Sequence, residues 1–327
     1  MTYSEIITKS LDNIHTKLSS YNNDNTKDHY KCDYIELLAL LNTDELYKDD
    51  FLKRFFYEYE DRHEHAEEEQ SEISEQQDRE VNDLFTILKY RQTLYGEYYP
   101  FIVNEESILL KPSLDDMQTL YIVLLSCANL TSFEKDLQYR LADEFEHITY
   151  CAMKHYLPNS FEVKKLGSGS HYSGNTRNKL KELGNDLNVP VDNDQIDGIA
   201  LRANKEKGVD LIAWYKFIDG LPNTIIFLIQ CACGKDTVHK QYEPAAYYTY
   251  FNFLKYQKEP IITLATPKSV VIKEMHIQQI SEVAMKDILY FDRLRIMELI
   301  LDFNCISSLG SFNLAKELID KRISVLD

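Results

Sequence analysis

No run of apolar residues in this 327-residue chain approaches the roughly 18 to 20 that a membrane-spanning helix needs. The first residues, MTYSEIITKSLDNIHTK, also lack the apolar core of a secretion signal, so a cytoplasmic protein is expected. Cysteine is scarce and scattered. Cys32, Cys127, Cys151, Cys231, Cys233 and Cys305 show no framework-like spacing, which predicts reduced thiols rather than disulfides. Internal repeats are absent. Positive charge is short as well: 36 Lys and Arg stand against 53 Asp and Glu, a net charge of −17. Taken alone, that balance argues against a nucleic-acid partner, because phosphate binding is driven by Lys and Arg.

The deficit is local. Residues 161–327 carry 21 basic and 21 acidic side chains, leaving 15 and 32 for residues 1–160. The acidic excess therefore lies wholly in the first half, where it offers a docking surface for a basic protein partner. The length exceeds that of one compact domain, and the apolar fraction of 44% is ordinary for a globular protein, so two domains are expected.

Up to about Tyr156 the apolar residues recur at three- and four-residue steps, as in YIELLALLNTDELYKDDFLKRFFYEYE and DDMQTLYIVLLSCANL, which predicts helices. Residues 58–80 are dominated by Glu, Gln, His and Arg and read as a solvated helix or a connection without core packing. FIVNEESILL, bracketed by Pro100 and Pro112, predicts a hairpin, and Ser113 with Asp115 and Asp116 predicts a helix start. The character changes at KKLGSGSHYSGNT, a Gly/Ser-rich loop followed by the helical KLKELGNDL. Beyond it, VDLIAWYKF and TIIFLIQCAC read as strands joined by a turn at LPN. EPAAYYTYFNFLKYQ reads as a helix and IITLATP as a further strand. From about Ile277 the tail is predicted helical throughout, in HIQQISEVAMKDILYFDRLRIMELILDF and NLAKELIDKR.

An aspartate inside an apolar strand is costly to bury unless it binds a metal or accepts strong hydrogen bonds. Asp210 in GVDLIAW is such a residue, and Gln230 follows 20 positions later in FLIQCACGKD. Alternate residues of a strand share a face, so positions 230 and 232 are expected to project together toward the carboxylate on the neighbouring strand. A hard divalent cation takes oxygen ligands of this kind and, beside a phosphodiester, activates water and neutralises charge.

With those residues in view, the stretch from Leu141 to Pro267 resembles the PD-(D/E)XK nuclease superfamily, particularly its restriction and prokaryotic-defence members, in which the second motif can read Gln-x-Lys. The resemblance implies an α+β fold: an acidic helical N-terminal domain over residues 1–135, then a restriction endonuclease-like domain over 136–327 with an αβββαβ core and C-terminal helices. It implies a Mg²⁺- or Mn²⁺-dependent endodeoxyribonuclease acting on DNA in anti-phage defence or restriction. Asp210 and Gln230 would bind the metal, the Cys231 backbone carbonyl would complete the ligation, and a lysine would position water. In this chain the lysine position is Ala232. Lys235 and Lys240 are the candidates to supply the ammonium; a domain in which neither does so would bind DNA, or serve as a scaffold, without cutting it. The family also places a Glu on the helix before the sheet. Here Glu146 in DEFEH carries that resemblance, with Glu144 two residues away on a different helix face and Glu182 as the fallback.

Other signals have plainer readings. Asp194 and Asp197 in DNDQIDG are a candidate second metal site, against a turn rich in Asp and Asn. Cys231 and Cys233 should face away from Gln230 and fill core, against a zinc site with His239. GSHYSGNT, residues 169–176, nearly satisfies the phosphate-loop pattern but has Asn175 in place of its lysine, so a linker or DNA-backbone loop is favoured over ATP binding. His63 and His65 lie in an acidic run and are expected to be solvated. The tyrosines of AAYYTYFNF are expected to pack on the sheet, with base stacking as the alternative.

Overall fold

A computed structural model describes residues 28–56, 67–167, 169–200, 208–234, 239–251, 258–269 and 287–320, together with Glu5 and Arg322. Its elements, in chain order, are α1 (Asp28–Leu41), β1 (Leu46–Tyr47), α2 (Lys48–Phe56), α3 (Glu67–Tyr95), β2 (Phe101–Val103), β3 (Ser107–Leu110), α4 (Asp116–Ala128), α5 (Lys135–Tyr156), β4 (Phe161–Lys165), α6 (Thr176–Leu187), α7 (Asn193–Asp197), β5 (Leu211–Tyr215), β6 (Ile226–Cys231), α8 (Tyr247–Tyr250), β7 (Ile261–Ala265), β8 (Ile288–Phe291), α9 (Arg293–Leu299) and α10 (Gly310–Asp320). The fold class is α+β, and the chain divides into two compact units. The first holds Met1–Leu141, Lys268–Lys273 and Leu309–Asp327; the second holds Ala142–Pro267 and Glu274–Ser308.

In the first unit α1 and α4 are buried along most of their length, consistent with their near-continuous apolar sequences. Asp115 starts α4 with a capping box: its carboxylate accepts from Gln118 N–H, and the Gln118 side chain accepts from Asp115 N–H. The predicted hairpin forms as β2 and β3, with Phe101 opposite Leu110 and Val103 opposite Ile108, and β1 adds to its other side. Helix α10 packs on α4 and α1 within this unit. The sequence reading had placed it with the nuclease-like half.

The second unit is built on a five-stranded sheet of order β4-β5-β6-β7-β8. The β4/β5 and β5/β6 pairs are antiparallel; β6/β7 and β7/β8 are parallel. One face is covered by Leu180, Leu183 and Leu187 of α6 and by Tyr247 and Phe251, which pack on Ile212, Trp214, Ile226 and Leu228. The register aligns Cys231, Ala265 and Phe291 in one row and Gln230, Leu264 and Tyr290 in the next, which faces the opposite way. Helix α5 meets the first of these rows, where the Tyr156 ring stands edge-on to Phe291 at 5.1 Å.

Three expectations need correction here. ILYF in the tail is strand β8, not helix: a short, fully buried apolar run cannot be told from a helix segment by periodicity, and parallel pairing with β7 decides the matter. EPAAYYTYFNFLKYQ does not open as an α-helix. Residues His239–Ala246 form a 3-10 segment containing Pro244, followed by the four-residue α8. Finally, Cys151 and Cys305 are joined as a disulfide although 154 residues apart. Pairing depends on spatial approach, here a Cα–Cα distance of 6.3 Å, and sequence spacing carries no trace of it.

Candidate functional site

Asp210 immediately precedes β5, and its hydrogen bonds bracket Gln230 on the neighbouring strand. Its N–H donates to Ile229 O at 2.9 Å, while its Oδ2 accepts from Cys231 N–H at 2.7 Å. Its carbonyl accepts from the N–H groups of Leu166 and Gly167, so the end of β4 is tied to the same point. The burial cost of an aspartate at the mouth of an apolar strand is thereby offset by a charge-assisted hydrogen bond.

Gln230 is 4% exposed. Its Nε2 donates to Cys231 O at 3.4 Å, and its buried Oε1 has no hydrogen-bond partner among the described residues. Such an orphaned acceptor normally costs stability, and it is the arrangement expected of an oxygen that serves a ligand. Glu146 reaches the end of β4 from α5, on the face of the sheet opposite the Gln230 side chain. A Cβ added at Gly167 would lie 2.5 Å from Glu146 Oε2, so the carboxylate occupies the space that a side chain at 167 would take. The Cys231 thiol registers both acids: burial raises it well above its ordinary range, and the charges of Asp210 and Glu146 raise it further. Asp210 and the Cys231 backbone meet where β5 and β6 reach the end of β4, with Glu146 on the α5 face of the sheet and the Gln230 side chain, one residue back along β6, on the opposite face. All four contribute oxygen donors, the chemistry a hard divalent cation takes.

Comparison with protein-family models, with curated proteins and with solved structures returns no match. The site is therefore read from its own geometry.

Ala232 is fully buried, and its N–H donates to Ala265 O, so the position two beyond Gln230 is committed to the sheet. Lys235 lies outside the described residues. Lys240 is half-buried on the 3-10 segment that packs against β6 and β7, and it has no hydrogen bond or ion pair among the described residues. Glu144 is half-buried on α5, and Glu182 is exposed on α6.

The remaining candidates fall on the plainer side. Asp194 and Asp197 are exposed on α7, which Asp192 caps, and Asp197 lies 3.4 Å from Lys181 Nζ. Cys231 and Cys233 are buried and His239 is exposed. Among the described residues the only converging His/Cys/Asp/Glu triple is a different one, His147, Cys151 and Cys305. Asn175, in the lysine place of the phosphate-loop pattern, is the N-cap of α6 and accepts from Asn178 N–H. Tyr247 and Phe251 are core, their rings stacked at 5.9 Å. His63 and His65 lie outside the described residues. A cleft of about 240 Å³ lined by Phe161, Tyr215, Phe217 and Lys258 opens at the far end of the β4/β5 pair from Asp210.

The sequence reading missed Gly167, whose role is to leave room for Glu146, and the His147–Cys151–Cys305 group. The i, i+4 spacing of His147 and Cys151 was visible, but nothing in the sequence brings Cys305 to them.

Proposed function

We propose that the second unit is a PD-(D/E)XK-type nuclease that hydrolyses DNA phosphodiester bonds with Mg²⁺ or Mn²⁺. The observation that supports this reading is the Asp210 carboxylate fixed by Cys231 N–H at the start of β5, next to the buried Gln230, whose Oε1 has no hydrogen-bond partner among the described residues. The element order supports it: helix α5, the antiparallel strands β4 to β6, then β7 parallel to β6, with an acid before β5, an amide on β6 and an acid on the preceding helix. Asp210 and the Cys231 carbonyl would hold the cation, with Gln230 and Glu146 as the further oxygen donors nearest to them in the fold. When bound, it supplies Lewis acidity at the phosphate and lowers the pKa of water.

The chain's own residues do the rest. The Cys231 N–H fixes the Asp210 carboxylate at the strand end, Gly167 admits Glu146, and Lys240 offers an ammonium to the scissile phosphate in place of the motif lysine. Lys235 keeps the same candidacy. The setting that fits such an activity is prokaryotic anti-phage defence or restriction, with the acidic N-terminal half docking a basic protein partner.

Ala232 favours a second reading, a nuclease-like DNA-binding or scaffold subunit of a defence complex that has lost cleavage. Incubation of the full chain with plasmid and linear DNA in Mg²⁺ or Mn²⁺ separates the two. Cleavage that falls at least about a hundredfold in Asp210→Asn is expected. DNA binding without cleavage under either metal, unchanged in Asp210→Asn, would favour the scaffold.

A further inference from the structure

The second unit holds a group of ligating side chains apart from the oxygen cluster at Asp210. His147 and Cys151 are four residues apart on α5 and so share one helix face. Cys305 comes from the 3-10 turn Phe303–Cys305. One ring nitrogen of His147 and the two sulfurs lie within 4.8 Å of one another. Cys151 and Cys305 are joined as a disulfide, whereas Cys32, Cys127, Cys231 and Cys233 are buried and outside it.

We propose that reduction of this disulfide turns His147, Cys151 and Cys305 into a thiolate–imidazole site for a borderline-soft divalent cation of the Zn²⁺ class. Two sulfurs and a nitrogen are ligands that such a cation selects and that Mg²⁺ and Mn²⁺ leave, so this site and the oxygen cluster discriminate by chemistry. Three protein ligands leave the fourth tetrahedral position to water.

The frame is built before the ion arrives. Asp302 accepts from Asn304 N–H at 2.9 Å, Ser307 N–H donates to Phe303 O at 2.8 Å, and the fully buried Ile306 anchors the turn. His147 Nε2 lies 2.9 Å from Cys305 O. This contact holds the ring against the turn that carries Cys305, as outer-shell carbonyls hold ligating histidines. His147 and Cys305 are half-buried and reachable from solvent, while Cys151 closes the dry side.

The chemistry balances. Closing the S–S bond removes two protons and two electrons from the two thiols, and a small-molecule disulfide such as oxidised glutathione takes them up and leaves as two thiols. In the reduced form, binding the cation displaces both thiol protons to solvent. Either state clamps α5 to the 303–305 turn, one covalently and the other through the metal.

The test uses the full chain, reduced, freed of reductant without oxygen, and titrated with Co²⁺ and then Zn²⁺. One equivalent of Co²⁺ should produce a thiolate-to-cobalt charge-transfer band that Zn²⁺ abolishes. The band should be lost in Cys151→Ser and in Cys305→Ser, weakened in His147→Gln, and unchanged in Asp210→Asn. Oxidised glutathione should prevent it and leave a peptide pair linked through Cys151 and Cys305. For wild type, which raises no question of folding, Zn²⁺ should raise the melting temperature of the reduced protein and not of the oxidised one. A band that survives Cys151→Ser and Cys305→Ser, or a reduced wild type that neither binds Co²⁺ nor melts higher with Zn²⁺, would overturn the proposal.

Discussion

At Gly167 a side chain would meet only the far end of Glu146, with its Cβ 2.5 Å from Oε2 and nothing else as near. The backbone there is not in the left-handed region, so Gly167→Ala should change stability by less than about 1 kcal/mol, read as a urea midpoint. It should also displace the Glu146 carboxylate and weaken divalent-cation dependence by about tenfold, a magnitude typical of disturbing the surroundings of a metal ligand. His171 makes a second residue-scale case. Burial, and then the Lys164 ammonium, hold its imidazole below the ordinary value of 6.5. Because the folded value lies below the unfolded one, the unfolded chain binds the proton more readily. The contribution of this position is therefore full above the ordinary histidine range and is lost as pH falls through it toward the folded value. An NMR titration should place the His171 midpoint below 6.5, and Lys164→Met should move it up; a midpoint unmoved by that substitution would contradict the part assigned to Lys164.

At the scale of elements, strand β8 is held by parallel pairing to β7 and by the Tyr156 ring against Phe291. Phe291→Ala should cost about 3–5 kcal/mol in chemical denaturation, the usual range for removing a buried aromatic. The next turn is separable. Asp292 caps α9 by accepting from Arg295 N–H, and Asp292→Ala should cost only about 1 kcal/mol. These elements also show what was legible in the sequence. β5 and β6 announce themselves through β-branched and aromatic residues around a turn, and α6 through its apolar period. β8 does not, because four apolar residues in ILYF, placed before the helical RLRIMEL, carry no period of their own. The 3-10 path at 239–246 was hidden for a similar reason: Pro244 is as compatible with the first turn of an α-helix as with the tighter winding.

At the scale of the whole molecule, buried charge also holds distant stretches of chain together. The first unit buries Arg91 completely, with Nη1 2.9 Å from both Asp33 Oδ1 and Glu36 Oε1. The Tyr99 and Tyr121 hydroxyls donate to Glu36, and Arg91 Nη2 donates to Ser269 O, which binds a distant stretch of chain into that unit. Removing one partner strands buried charge, so Arg91→Met should cost about 3–5 kcal/mol, measured by denaturant unfolding. Nothing in the sequence singles out this network, because Asp33 and Glu36 lie 58 and 55 residues from Arg91 and look like solvated charges on a helix. The site was more legible. An acid before one strand and an amide on the next were readable as neighbours, and the backbone of β6 holds Asp210 on either side of Gln230. Gly167 and Cys305 were not readable, since their places depend on how distant segments pack.

The central claim is that Asp210, Gln230 and Glu146 hold a divalent cation, and Mn²⁺ binding followed by electron paramagnetic resonance tests it without reference to any substrate. Wild type should bind one Mn²⁺ that excess Mg²⁺ displaces, and Asp210→Asn, which keeps the side chain's shape and removes its charge, should lose that site. Equal Mn²⁺ affinity in wild type and Asp210→Asn, or no binding in a folded wild type, would contradict the account.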